Sequence, residues 1–180
     1  MKRIQIKDTT LSLCPIGFGT ANAGIAWDNE EAFKMLDLYV ELGGNVIDTA
    51  RIYSDWVAGE IGRSERVIGD WLKHRGHHED LVIISKGGHP PLNEMNTSRL
   101  SKEEMTYDLN KSLEALGIDC LDIYFYHRDD LNRPVAELIE TMQDFVRAGK
   151  IKYYGCSNWT TARIKEAMDY CKEKGYRGFV

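Results

Sequence analysis

Short apolar runs alternate with longer amphipathic stretches along the chain, and this rhythm restricts the fold more than any other feature of the sequence. The runs that look like strands are SLCPIGFGT, NVIDTA, LVIISK, LDIYFYH, IKYYGCSN and a final GFV. The helical segments between them are NEEAFKMLDLYVELGG, RSERVIGDWLKHRG, SKEEMTYDLNKSLEALG, VAELIETMQDFVRAGK and TTARIKEAMDYCKEKG. Most strand runs are apolar nearly throughout, which is typical of parallel strands covered by helices. The pattern therefore predicts an α/β fold of about five strand-then-helix units, with GFV as the start of a sixth strand.

Two architectures satisfy this pattern, an open doubly wound sheet and a (β/α)8 barrel. The doubly wound sheet normally carries G-x-G-x-x-G between its first strand and first helix. Here Gly17, Phe18 and Gly19 are followed by Thr20 and Ala21, with no third glycine in place. The segment KRIQI, ahead of the first barrel-type strand, is predicted to be a short strand or half of a hairpin within about residues 1–12.

Helix ends are marked by local signals. Asp28 and Glu31, and again Ser101 and Glu104, have the spacing of a capping box. Glycines such as Gly117 follow the helical runs, as expected of helix C-caps.

Composition excludes several classes of protein. The 180 residues are 43% hydrophobic with a net charge of −5, which indicates one globular domain spanning residues 1–180. Basic residues are interspersed among acids, so neither nucleic acid nor an anionic membrane is an expected partner. The N-terminal MKRIQIKDTT lacks the apolar core of a signal peptide, and a cytoplasmic location is expected. The cysteines form no C-x-x-C pair, so neither a metal site nor a disulfide framework is expected.

A polar residue closes each predicted strand. In chain order these residues are Thr20, Asp48, Lys86, His127 and the pair Ser157 and Asn158. Each has an ordinary structural explanation, such as a turn cap, a solvated strand end or a core histidine. In a barrel, however, the carboxyl ends of the strands converge on the face where active sites lie. The spacing therefore favours one common site.

At these strand ends the sequence resembles a known family. The segments NVIDTARIY, GRSERVIGDWL, LVIISK, LDIYFYH and YYGCSNW look like consecutive signatures of the aldo-keto reductases. The resemblance runs from about residue 11 to the C-terminus. It implies a (β/α)8 barrel that reduces carbonyl compounds with a nicotinamide cofactor and without a Rossmann loop.

The resemblance also implies a division of roles among four catalytic residues. Tyr53 would be the general acid that gives a proton to the carbonyl oxygen. A free tyrosine has a pKa of about 10, so a nearby cation is needed to make its proton available. Lys86 would be that cation, held in place by Asp48. His127 would orient the carbonyl oxygen by donating a hydrogen bond.

The same likeness implies a cofactor site and a small carbonyl compound as substrate. NADPH is the expected cofactor, and NADH is possible. Ser157 and Asn158 would hold the nicotinamide carboxamide, Asp48 would contact its ribose, and Thr20 would line the same pocket. No metal is implied.

Substrate recognition has weaker signals. Trp56, beside Tyr53, and Trp27, after the first strand, are candidates for the wall of an apolar pocket, although tryptophans in loops also cover the edges of cores. The segment GGHPPLNEMNTSRL after Lys86 is long for a connection between strand and helix, which suggests a binding loop or a mobile lid. His89 in this segment receives no role.

Length is the main departure from the family. A (β/α)8 barrel rarely has fewer than about 200 residues, whereas this sequence has 180. We therefore expect an incomplete barrel with impaired activity, whose exposed strand edges favour self-association. The alternatives are a compact monomer, a cofactor-binding or interaction subunit without catalysis, and an inactive barrel fragment.

Overall fold

Strands and helices alternate in the structure, a computed structural model that describes residues 2–27, 29–59 and 61–180. The strands are β1 (Ile4–Gln5), β2 (Ser12–Leu13), β3 (Phe18–Gly19), β4 (Val46–Asp48), β5 (Val82–Gly87), β6 (Leu121–Tyr126) and β7 (Ile151–Cys156). The helices are α1 (Asn29–Glu41), α2 (Arg63–Arg75), α3 (Lys102–Leu116), α4 (Val135–Arg147) and α5 (Thr161–Lys174). In the described ranges, β3 to β7 form a five-stranded parallel sheet in chain order. The predicted α/β fold of the barrel type, with about five strand-then-helix units, is confirmed.

The first predicted strand is divided in two. Its beginning, β2, pairs antiparallel with β1, and its end, β3, pairs parallel with β4. Pro15 lies between the two pieces and has no N–H to donate to a ladder, which explains the interruption. The predicted sixth strand at GFV has not formed, although the N–H of Val180 donates to the carbonyl of Tyr154 at 3.2 Å.

One of the two capping boxes predicted from the sequence is confirmed by the structure. Ser101 and Glu104 form the predicted capping box, with each side chain accepting a hydrogen bond from the backbone of the other residue. The other predicted box involves Asp28, which lies outside the described residues. In the part of the chain that the structure describes, no helix has the length and apolar character needed to cross a bilayer.

Side chains alternate between the two faces of the sheet, and two hydrophobic clusters mark these faces. We call one the interior face; its cluster includes the strand residues Val46, Val82, Ile84 and Ile123, with Phe125 and Tyr153 packed against them. The opposite face packs against the helices through the strand residues Ile47, Ile83, Tyr124 and Tyr126. This alternation decides which polar side chains can meet at the end of the sheet.

A fully buried carboxyl group lies between the sheet and the helices. Glu65 of α2 has no exposed surface, and its Oε1 accepts a hydrogen bond of 2.6 Å from the Ser85 hydroxyl of β5. Its Oε2 has no hydrogen-bond partner. Burial raises the pKa of Glu65 from its ordinary value of 4.5 to about 7.

This raised pKa gives a prediction about stability. The folded protein retains a proton on Glu65 that the unfolded chain releases at lower pH, so the group lowers the free energy of unfolding progressively between about pH 4.5 and 7. Glu65→Gln removes this titration. We expect the stability of the variant relative to the parent to rise from pH 5 to pH 8 by up to about 3 kcal/mol.

Urea unfolding at several pH values measures this difference. The exposed Glu103 of α3 offers a matched Glu→Gln control, which we expect to show no comparable change. A Glu65→Gln difference that stays constant from pH 5 to pH 8 would contradict the assignment.

Candidate active site

The carboxyl ends of four neighbouring strands bring polar side chains to one place. Each of these side chains lies an even number of residues after a side chain of the interior face, so the alternation of the strands directs it to that face. The side chains are those of Asp48, Lys86, His127 and Ser157. Backbone bonds continue past the strand ends, from the N–H of His127 to Gly87 at 2.9 Å and from that of Ser157 to Tyr126 at 2.8 Å. The ordered sheet thus fixes the positions of these residues.

Lys86 lies at the centre of the site. Its side chain is only 7% exposed, and its ammonium donates hydrogen bonds to the Asp48 carboxylate, to the Thr49 carbonyl at 2.9 Å and to the Tyr53 hydroxyl at 2.9 Å. These acceptors match the three N–H donors of an ammonium, which compensates the loss of water on burial. These three acceptors hold the ammonium group beside the phenol.

The contact between Lys86 and Tyr53 has a chemical consequence. Because the ammonium has no lone pair, the Tyr53 oxygen must accept this hydrogen bond, and the phenol proton points elsewhere. Lys86 Nζ also lies 4.6 Å from the centroid of the Tyr53 ring. Asp48 keeps 41% of its side chain exposed. The phenol hydrogen of Tyr53 therefore points away from Lys86, and the neighbouring Asp48 carboxylate is partly exposed.

His127 is held against Tyr53. The two ring centroids are 5.8 Å apart in an edge-to-face arrangement. Burial, followed by the positive charge of Lys86, lowers the pKa of His127 to about 3, so the imidazole is neutral near pH 7. Its Nδ1 is buried without a partner. An unpaired buried N–H is costly, which favours the tautomer that carries the hydrogen on Nε2.

His89, which the sequence left without a role, contacts this group. Its ring lies 4.8 Å from that of His127, centroid to centroid, and is 9% exposed. Its Nδ1 is 2.7 Å from the Pro90 carbonyl and donates to it, while its Nε2 accepts from Arg128 at 3.3 Å. Burial lowers the pKa of His89 as well. The one sequence signal for this placement is its position two residues beyond the end of β5.

The long segment after β5 is fastened at both ends by one carboxylate. Asp108 of α3 accepts from the N–H of Gly88 at 2.9 Å. It also accepts two hydrogen bonds from the Arg99 guanidinium, at 2.8 and 3.1 Å. Residues 92–98 between these anchors are exposed. His89 therefore lies at the anchored beginning of this loop, next to Gly88.

Of the predicted cofactor residues, Asn158 and Ser157 lie at the site. Asn158 has a left-handed backbone with φ of 64°, which asparagine tolerates better than most residues. Its amide nitrogen donates to the carbonyl of His127 at 2.9 Å and to the hydroxyl of Ser157 at 3.0 Å. The turn after β7 is thereby tied to the backbone of His127.

Thr20 is placed differently from the expectation. It follows Phe18, whose side chain packs against the helix-facing cluster, so the alternation also turns Thr20 away from the interior face. Thr20 is fully buried; its hydroxyl donates to the Asp48 carbonyl at 3.1 Å and accepts from Ser64 at 3.0 Å. It supports the backbone of Asp48 and presents no surface to a ligand.

The two tryptophans proposed for the substrate pocket lie in different surroundings. Trp56 lies beside the site, with its ring 6.4 Å from that of Tyr53 and 48% of its surface exposed. Trp27 packs edge-on against Phe18 at 5.7 Å and covers a small cluster around Ala23. Trp56 is therefore an exposed neighbour of Tyr53, and Trp27 covers the edge of the core.

Comparisons with known proteins identify the family of this chain. The family model described as "Aldo/keto reductase family" matches residues 15–180. An aldo-keto reductase of Strobilurus tenacellus is 31% identical over 84% of this chain and 44% of its own length. An aryl-alcohol dehydrogenase (NADP+) of Phanerodontia chrysosporium is 28% identical over 94% of this chain and 47% of its own length.

A bacterial relative extends the comparison. An uncharacterized oxidoreductase of Bacillus subtilis is 28% identical over 100% of this chain and 56% of its own length. The chain thus spans about half the length of the relatives it matches. With the family model matched from residue 15 to residue 180, and the lysine, aspartate, tyrosine and histidine gathered at the carboxyl end of the sheet, the chain belongs to the aldo/keto reductase family of oxidoreductases.

Proposed function

We propose that this chain carries the proton-donating site of an oxidoreductase that reduces aldehydes or ketones to alcohols with NADPH, with NADH as the alternative cofactor. The observation that supports this most is the 2.9 Å hydrogen bond from the buried Lys86 ammonium to the Tyr53 hydroxyl. A cation at this distance stabilises the phenolate that remains when Tyr53 gives up its proton. One relative that carries NADP+ in its name supports the choice of cofactor.

In the proposed reaction, Tyr53 protonates the carbonyl oxygen and His127 orients it. A neutral imidazole with its hydrogen on Nε2 donates a hydrogen bond to that oxygen and does not compete with Tyr53 as the acid, because the pKa of His127 is about 3. Asp48 holds the Lys86 ammonium in place beside the phenol. The cofactor, when bound, supplies the hydride to the carbonyl carbon.

The described residues fit the nicotinamide end of such a cofactor. Asp48 has an exposed carboxylate that can accept from a ribose hydroxyl. The side-chain nitrogen of Asn158 donates to the His127 carbonyl and to the Ser157 hydroxyl. The side-chain oxygen of Asn158 is therefore a potential acceptor for a carboxamide N–H. Asp48, Asn158 and Ser157 are therefore the proposed holders of this group.

Tyr53→Phe tests the proposed acid. We expect aldehyde reduction with NADPH to fall by about 100-fold or more, because general acid catalysis is lost, while quenching of tryptophan fluorescence by NADPH is retained. Tyr107→Phe, at an exposed tyrosine of α3, is the control and should keep parental activity. A Tyr53→Phe variant with parental turnover would refute the role of Tyr53.

The same titration separates the alternatives. Fluorescence quenching by NADPH without turnover in the parent would favour a cofactor-binding subunit that does not catalyse. Absence of both quenching and turnover would favour a barrel fragment without a ligand.

We further propose that copies of this chain associate through the edges of the sheet. β3 and β7 are the outer strands, and an outer strand has backbone N–H and C=O groups without a neighbouring strand. Light scattering over a range of concentrations is expected to show a mass that rises with concentration. A constant monomer mass would count against this proposal.

A further inference from the structure

The cations around the site differ in how their charge is balanced. Lys86 is paired with Asp48, and Arg99 is paired with Asp108. Arg128, which directly follows the catalytic histidine, has no carboxylate within ion-pair distance among residues 2–27, 29–59 and 61–180. Its charge is therefore left without a counter-ion by the described residues.

The two acids next to Arg128 in the sequence are bound to other partners. Asp129 Oδ1 lies 3.3 Å from Arg163 Nε, and Asp130 Oδ2 lies 3.6 Å from Arg133 Nε. The HRDD sequence therefore does not neutralise its own arginine. Any counter-charge for Arg128 must come from elsewhere.

The guanidinium of Arg128 is half-buried and poorly satisfied. Its Nη2 donates to the neutral His89 ring at 3.3 Å, and its Nε is buried without a partner. Its backbone carbonyl accepts from Trp159 Nε1 at 3.0 Å, which holds the main chain in place. A charge removed from water without a counter-ion is unfavourable, and an arginine fork fits a carboxylate with two parallel hydrogen bonds.

A cavity of about 350 Å³ lies next to this guanidinium, between the segment after β5 and the segment after β6. Apolar side chains in its lining include Pro90, Met95, Leu100 and Leu131. The lining also has polar side chains and the carboxylates of Asp129 and Asp130, which are paired with Arg163 and Arg133. A cavity of this size beside a guanidinium that has no carboxylate partner suits a small organic anion.

We propose that Arg128 binds the carboxylate of an aldehyde substrate whose carbonyl group lies between Tyr53 and His127. The proposal rests on the proposed reductase function and names its substrate class. His89 contacts both His127 and Arg128, so a single side chain links the proposed carbonyl site to the guanidinium. The fitting substrates are aldehydes with a carboxylate several bonds from the carbonyl, as in 4-carboxybenzaldehyde.

Paired substrates test this assignment. In the parent, kcat/KM is measured with NADPH for 4-carboxybenzaldehyde and for 4-methylbenzaldehyde, which has the same ring without the charge. We expect Arg128→Gln to lower kcat/KM for the carboxylated aldehyde by about 10- to 100-fold, because charge-assisted hydrogen bonds are lost. The uncharged aldehyde should change less than about twofold, and Arg128→Lys should restore part of the difference.

Arg177→Gln is the matched control, since this exposed arginine packs over the Tyr153 ring and not against His127 or His89. It should change neither substrate. An equal loss for both aldehydes in Arg128→Gln would overturn the proposal and indicate a structural role. A loss of NADPH affinity alone would also overturn it, because the anion recognised would then be a cofactor phosphate.

Calorimetric titration of 4-carboxybenzaldehyde in the absence of cofactor gives an answer without turnover. Tighter binding of this compound than of 4-methylbenzaldehyde, with the difference abolished by Arg128→Gln, supports the site even if no aldehyde is reduced. That combination would leave Arg128 as an anion site and reject the reductase proposal. Equal binding of the two aldehydes by the parent would reject the anion site itself.

Discussion

The buried ammonium group of Lys86 determines the arrangement of this site. Lys86 can remain charged where it lies because Asp48, Thr49 and Tyr53 each offer an oxygen to one of its hydrogens. These acceptors come from the strand and turn next to β5, so the parallel pairing of β4 with β5 is what brings them together. Removing the Asp48 carboxylate alone would leave a buried charge without its counter-ion, which is among the most destabilising changes a protein can undergo.

Much of this arrangement could be predicted from the sequence, because parallel strands have a simple geometry. Strands that end at the same edge bring their last residues together, and the spacing placed Asp48, Lys86 and His127 there. Tyr53 lies in a turn beyond β4 and was identified by the family resemblance alone. Thr20 was misplaced because a strand end by itself does not tell which face a side chain takes; counting back to Phe18 would have indicated the helix side.

The remaining features depend on packing that a single sequence does not reveal. Glu65 occurs in GRSERVIGDWL as any helical glutamate would, and its complete burial follows from the contact of α2 with β5. His89 and Arg128 are far apart in the chain and meet because β5 and β6 are neighbours. The sequence also does not reveal that Arg128 lacks a counter-ion among the described residues. Its acidic neighbours Asp129 and Asp130 form ion pairs with other arginines instead.

The fastening of one loop by a single side chain has a consequence for how the protein can vary. Asp108 holds both ends of the segment after β5, at Gly88 and at Arg99, so the exposed tip at residues 92–98 contains neither of these anchors. Chain length and composition at the tip can therefore change at little cost to the scaffold. Libraries randomised across residues 92–98 would change the lining of the cavity beside Arg128, for example at Met95, and leave both anchors of the loop in place.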